Sequence, residues 1–103
     1  MRKVANCTFR RLILIEKRQA VVLFSSDLCP HCDVVKPILR KIMKKTENIE
    51  FIELDYIKDE NLARQYSVMF LPTVITFKDG RVMSMIEGLK KEQRYKNKIG
   101  EIC

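Results

Sequence analysis

Two cysteines separated by two residues, Cys29-Pro30-His31-Cys32, are the side chains of this sequence best placed to do chemistry. Once the second cysteine lies inside a helical turn, the two sulfurs can meet and form a reversible disulfide. The thiolate is the reactive form of cysteine. An imidazole or its N–H beside Cys29, supplied by His31, favours that thiolate. Stabilising the thiolate stabilises the reduced pair, which makes the disulfide a better oxidant. The competing chemistry is metal binding. A closed zinc site takes about four ligands, whereas Cys7 and Cys103 are isolated, so only a dimer pooling two Cys-x-x-Cys pairs could assemble one. No metal and no cofactor are expected. A third reading, a binding module without chemistry, leaves two intact cysteines without a purpose.

The elements around the pair must set its geometry. Ala20 to Phe24 is an apolar run with the length and branching of a buried strand. It stops at the polar corner Ser25-Ser26-Asp27. Beyond the cysteines, Val34, Val35, Ile38, Leu39, Ile42 and Met43 recur at helical spacing. The cysteines therefore fall where a strand hands over to the first turn of a helix. That turn has unpaired N–H groups and the positive end of the helix dipole, both of which favour a thiolate. Pro30 suits the first helical position, where its missing N–H would have had no partner.

The remaining elements follow in order. Met1 to Ala5 can supply a short strand. A helix starts near Asn6 or Thr8, with Phe9, Leu12, Ile13 and Glu16 on one face. The helix after the cysteines runs from Pro30 to Lys45, with a kink expected at Pro37. Ile49 to Asp55 alternates as a strand, and Glu60 to Tyr66 reads as a short helix with Leu62, Ala63 and Tyr66 inward. Strands 73–77 and 81–86 flank Lys78-Asp79-Gly80, whose Asp-Gly pair is a strong hairpin signal. Gly88 breaks the last strand, and a helix from Lys91 to Ile102 buries Tyr95, Ile99 and Ile102. The order β-α-β-α-β-α-β-β-α predicts an α/β domain over residues 1–103. Its central mixed sheet of four to five strands carries helices on both faces.

Composition excludes several classes. The 103 residues carry 20 basic and 13 acidic side chains, a net charge of +7. The basic residues cluster at Lys36–Lys45 and Lys90–Lys98, without aromatic or zinc-finger patterns, and read as solvated helix faces. Nucleic acid is therefore not an expected partner. No apolar run approaches the ~18 residues of a membrane span. The apolar stretch Leu12–Ile15 is too short for a secretory leader and is closed by Glu16, Lys17 and Arg18. The expectation is a monomer of a reducing cytoplasm, where a Cys-x-x-Cys pair points to redox or metal chemistry rather than a structural staple. Cys7 is expected to be a small buried hydrophobe and Cys103 an exposed thiol, with the methionines, Met83 and Met85 among them, packing core or groove.

These motifs resemble the thioredoxin family. The Cys29–Cys32 motif follows a strand and precedes Pro37 by five residues. Leu71-Pro72-Thr73 is similar to the family's Ile-Pro-Thr signature, Phe77-Lys-Asp-Gly80 to its Phe-Lys-Asn-Gly hairpin, and Gly88 to its glycine after the last strand. The resemblance spans roughly residues 6–103. It implies a thioredoxin-like fold and a thiol–disulfide oxidoreductase acting on disulfide-containing proteins, with a thiol or flavoprotein reductase as electron donor. Cys29 would be the nucleophile and Cys32 the resolving thiol. Pro72 would follow a cis peptide, leaving the Leu71 backbone free to pair with substrate. Leu28, Phe70, Leu71, Gly88 and Leu89 would form the apolar surface receiving partners.

Several positions depart from the family pattern. The family's usual Gly-Pro between the cysteines is Pro30-His31 here, as in the disulfide-forming oxidoreductases of the bacterial periplasm, yet the chain has no room for their helical insertion. Small prokaryotic proteins mixing thioredoxin and glutaredoxin features are similar in type. The family's buried aspartate, six residues before the first cysteine, is Leu23. The lysine of its next strand corresponds to Glu53. One reading makes Glu53 the proton acceptor for Cys32; the other makes it a solvated or locally paired charge. Ser25 and Leu28 stand where tryptophans are common.

Overall fold

The central strand β2, Ala20–Ser25, is the axis of the computed structural model, which describes residues 1–103. All six of its residues are buried, because helices cover both faces of the sheet. Val22 and Phe24 point to one side, into a cluster with Phe9, Leu12, Ile13 and Leu62. Val21 and Leu23 point to the other, against Val35, Leu39, Tyr95 and Ile99. A strand apolar at every position, rather than at alternate ones, is what double coverage demands.

Five strands form the sheet, in the order β1-β3-β2-β4-β5. β1 (Arg2–Lys3) and β3 (Glu50–Asp55) lie parallel to β2 on one side. β4 (Thr73–Lys78) pairs antiparallel with β2, and β5 (Arg81–Glu87) antiparallel with β4. The hairpin joining β4 and β5 has two loop residues, Asp79 and Gly80, at φ 55° and 79°. Positive φ at both is the type I′ turn whose twist matches the flanking strands, and the Asp-Gly pair encodes it.

Helices α2 (Pro30–Lys44) and α4 (Glu92–Gly100) cover the Leu23 face. Helix α1 (Asn6–Phe9) and α3 (Glu60–Gln65) cover the other. There Phe9, Tyr66 and Phe77 meet edge to face, with ring centroids 5.5–5.8 Å apart. α2 continues through Pro37, which lies exposed inside it. No helix is long and apolar enough to cross a membrane.

The first helix departs most from its periodicity. After Phe9 it widens into a π-helical stretch, Arg10–Ile15, closed by the Glu16 N–H donating to the Arg11 carbonyl at 2.8 Å. The wider turn breaks the register on which Glu16 was expected inward. Glu16 is instead exposed and paired with Arg11 and Arg18, each at 2.7 Å. Cys7 is also exposed rather than buried. The inward face is set by Phe9, Leu12 and Ile13, and a residue two before Phe9 lies about 200° round the helix. Met85 packs against the core, but Met83 is exposed, because β5 is an edge strand whose first three residues face solvent.

Candidate functional site

The site is built where β2 ends. Ser25 closes the strand, and Ser26 turns the chain. The Ser26 carbonyl accepts from the Cys29 N–H at 3.2 Å, and its hydroxyl oxygen accepts from the Leu28 N–H at 3.2 Å. Cys29 then caps α2 in an extended conformation, with Pro30 at the first helical position. The Cys32 N–H donates to the Cys29 carbonyl at 3.1 Å and to Cys29 Sγ at 3.2 Å. One of the helix's orphan donors is thus aimed at a sulfur, the arrangement that stabilises a thiolate there.

Cys29 and Cys32 are joined as a disulfide, with Cα atoms 5.3 Å apart. Cys29 is partly exposed and Cys32 fully buried. A partner can therefore reach the first sulfur but not the second. His31 and Pro30 are exposed at the same turn, and Leu28 is 84% exposed beside it.

Strand register brings the other candidates to the same end of the sheet. Thr73 lies opposite both Phe24 of β2 and Glu87 of β5. Leu71-Pro72, which precede Thr73, and Gly88-Leu89, which follow Glu87, therefore flank the strand end carrying the cysteines. The Leu71–Pro72 peptide is cis. The Gly88 N–H donates to the Pro72 carbonyl at 2.7 Å, tying the two segments together. Gly88 holds φ at 77°, which favours glycine, although a Cβ there would meet nothing. Phe70 is exposed, Leu71 and Leu89 are half-buried, and Pro72 is buried. Met69, 77% exposed and missed by sequence reasoning, extends the apolar rim next to Phe70.

The segment after β5 is anchored from below. The buried Tyr95 hydroxyl accepts from the Lys90 N–H at 3.0 Å and donates to the Gly88 carbonyl at 3.3 Å. Burial raises the Tyr95 phenol above its ordinary range, so it stays a donor. Tyr95→Phe should lower stability by about 1–2 kcal/mol, read as a shift in the urea midpoint, because Lys90 N–H loses its acceptor.

Beneath the pair lies a buried charge. Phe51 and Glu53 of β3 face α2, while Ile52 and Leu54 face the opposite cluster. Glu53 is 6% exposed. It accepts from the Ser25 hydroxyl and pairs with Lys36 Nζ at 3.1 Å. Lys36 stands one helical turn beyond Cys32. Burial pushes the Glu53 carboxyl up, but the Ser25 hydroxyl, the Lys36 ammonium and the more distant Lys3 outweigh it, and the group is held below its ordinary 4.5. Glu53 is thus a locally paired charge, buried rather than solvated. Its partners Lys36 and Ser25 escaped the sequence reading. The available signal was the i+4 spacing from Cys32 to Lys36 on a helix facing β3.

A family model described as Thioredoxin matches residues 1–101. The chain is 32% identical over 77 residues to thioredoxin H-type 1 of Nicotiana tabacum, covering 75% of this chain and 61% of that one. It is 31% identical over 91 residues to NADPH-dependent thioredoxin reductase 3 of Arabidopsis thaliana, covering 87% of this chain but 17% of the relative. The chain thus spans less than two thirds of the length of these relatives. Among solved structures, the thioredoxin of Fasciola hepatica superposes with a TM-score of 0.89 at 28% identity, covering 100% of both chains. On the family match over nearly its whole length, with its Cys29–Cys32 pair at the mouth of α2, this chain belongs to the thioredoxin family.

Proposed function

We propose that the protein is a thiol–disulfide oxidoreductase acting on disulfide-containing proteins. One observation carries this reading: a disulfide closed across a helix N-terminus, with one sulfur accessible and the other buried. In the reducing direction the Cys29 thiolate attacks a substrate disulfide. A mixed disulfide forms and one substrate thiolate leaves. The Cys32 thiolate then attacks Cys29 Sγ, releasing the second substrate thiolate and closing the Cys29–Cys32 disulfide. Two electrons pass to the substrate, and a donor must return two to reopen the pair. Run backwards, the same steps oxidise a dithiol. The exposed Leu28 and Phe70, with half-buried Leu71 and Leu89, are the surface on which the partner would rest, and the Leu71 backbone would pair with it.

A thiol or flavoprotein reductase is the donor class this chemistry requires. The similarity to part of a relative named as a thioredoxin reductase supports that class. The exposed, unpaired thiols of Cys7 and Cys103 favour a reducing compartment. The functional test is insulin reduction by dithiothreitol. Catalytic amounts of the protein should accelerate it well beyond dithiothreitol alone, and no acceleration would remove the reading.

His31 tunes the potential in this proposal. His31→Ser should weaken the oxidising power of the pair, moving its equilibrium with glutathione several-fold to tenfold, the latter about 30 mV. An unchanged equilibrium would make His31 a bystander.

Glu53 is ill suited to accept the Cys32 proton. The Ser25 hydroxyl and the Lys36 ammonium hold its carboxyl below the ordinary range, which makes it a poor acceptor for the proton of a thiol, an ordinarily much weaker acid. We assign Glu53 to the ion pair. Glu53→Gln should leave the rate of mixed-disulfide resolution within about threefold of the parent; a much larger slowing would restore it as proton acceptor.

A further inference from the structure

Two basic runs, far apart in sequence, meet on one side of the sheet. Helices α2 and α4 lie side by side over the Leu23 face. Glu92 bridges them, taking Lys41 Nζ at 3.3 Å and Lys96 Nζ at 2.9 Å. Residues 30–47 and 90–103 hold ten basic and four acidic side chains, a net of +6 in a chain whose total is +7. Two of the four acids, Glu92 and Glu101, are already paired. Arg40, Lys44, Lys45, Lys91 and Arg94 are all exposed and none has a carboxylate at ion-pairing distance.

This charge has the wrong company for a bilayer or for single-stranded nucleic acid. The only large apolar side chain exposed on α2 or α4 is Val34, at the redox end, and the only exposed ring is the His31 imidazole at that same end. There is no apolar stripe to insert among acyl chains and no Phe, Tyr or Trp platform on which successive bases could stack. The face is instead continuous with the apolar rim, since Lys90 and Lys91 follow Gly88-Leu89 directly. A body touching both would present a disulfide to Cys29 and a carboxylate-rich surface to the helices.

We propose that the α2–α4 face recruits acidic protein partners by charge, steering their disulfides to Cys29. The inference rests on the oxidoreductase reading and names the chemistry of the partner. Complementary potentials raise association rates by ~10–1,000-fold and lose that advantage as salt shortens the Debye length.

The test uses a disulfide peptide with glutamate-rich flanks, the same peptide with lysine-rich flanks, and the neutral small disulfide of 2-mercaptoethanol. Second-order reduction rates are measured from about 20 to about 500 mM NaCl, for the parent and for Arg40→Glu/Lys44→Glu/Arg94→Glu. The parent should reduce the acidic peptide at least about tenfold faster than the basic one at low salt, with the advantage fading at high salt. The triple variant, whose two segments fall from +6 to zero, should lose that preference and keep the parent rate on the neutral disulfide. Equal rates on the two peptides at low salt would overturn the inference. So would duplex DNA that binds the parent more tightly than the acidic peptide does and is released by the charge reversal. Failure of the parent on the neutral disulfide would instead remove the oxidoreductase reading itself.

Discussion

Cys29→Ser should abolish reduction of protein disulfides, by on the order of 10³-fold or more, while the fold survives. Serine is nearly isosteric with cysteine, and residue 29 is only partly buried, so packing changes little. What is lost is the sulfur that a partner can reach. Cys32→Ser should fail differently. Its accessible Cys29 still attacks, but no second thiol closes the pair, so the protein stops as a mixed disulfide with its substrate. Mass spectrometry of Cys32→Ser after exposure to substrate should find one adduct, at Cys29. Adducts at exposed Cys7 or Cys103 in preference to Cys29 would contradict the division of labour read from burial.

Lys36→Met should produce the largest loss of stability outside the apolar core. The Lys36 and Glu53 side chains are 17% and 7% exposed, so methionine would leave a carboxylate in a site dry enough to need its partner. Removing one member of such a pair costs about 3 kcal/mol or more, roughly 12–20 °C in Tm for a domain of this size. The pH dependence distinguishes this cause from lost packing. In the parent, Glu53 is held below its ordinary 4.5, so its stabilising contribution is complete above the unfolded-state value and disappears as pH falls through the folded-state value. Without Lys36, burial pushes the carboxyl up instead. The deficit should therefore be widest near neutral pH and shrink below about 4.5. Glu53→Gln in the same background should recover much of it at neutral pH. A deficit of constant size from neutral to acidic pH would assign the effect to packing alone.

Most of the architecture was legible because local signals agreed with the global fold. The apolar run of β2, the Asp79-Gly80 turn and the strand-to-helix corner at Cys29 each have a single good structural solution. The first helix was harder. Its apolar spacing is helical through Ile13 and already puts Cys7 on the solvent side, but nothing local announces the π-helical widening that turns Glu16 outward. The cysteine pair was legible from four residues, while the charge beneath it was only half so. Glu53 could be singled out on β3, but its state depends on Lys36 and Ser25, which reach it from other elements. Likewise the two basic runs read as ordinary helix surfaces until packing set α2 beside α4. Pairings between elements are long-range facts, and periodicity within one element cannot supply them.

In the proposed cycle Cys29 and Cys32 open and close as one two-electron couple. Equilibrating the protein across a series of glutathione redox buffers, then alkylating and weighing it, measures this directly. A single transition is expected in which both cysteines change together, along a two-electron curve, with Cys7 and Cys103 outside it. Independent titration of the two cysteines, or a pair that never leaves one state across the series, would contradict it.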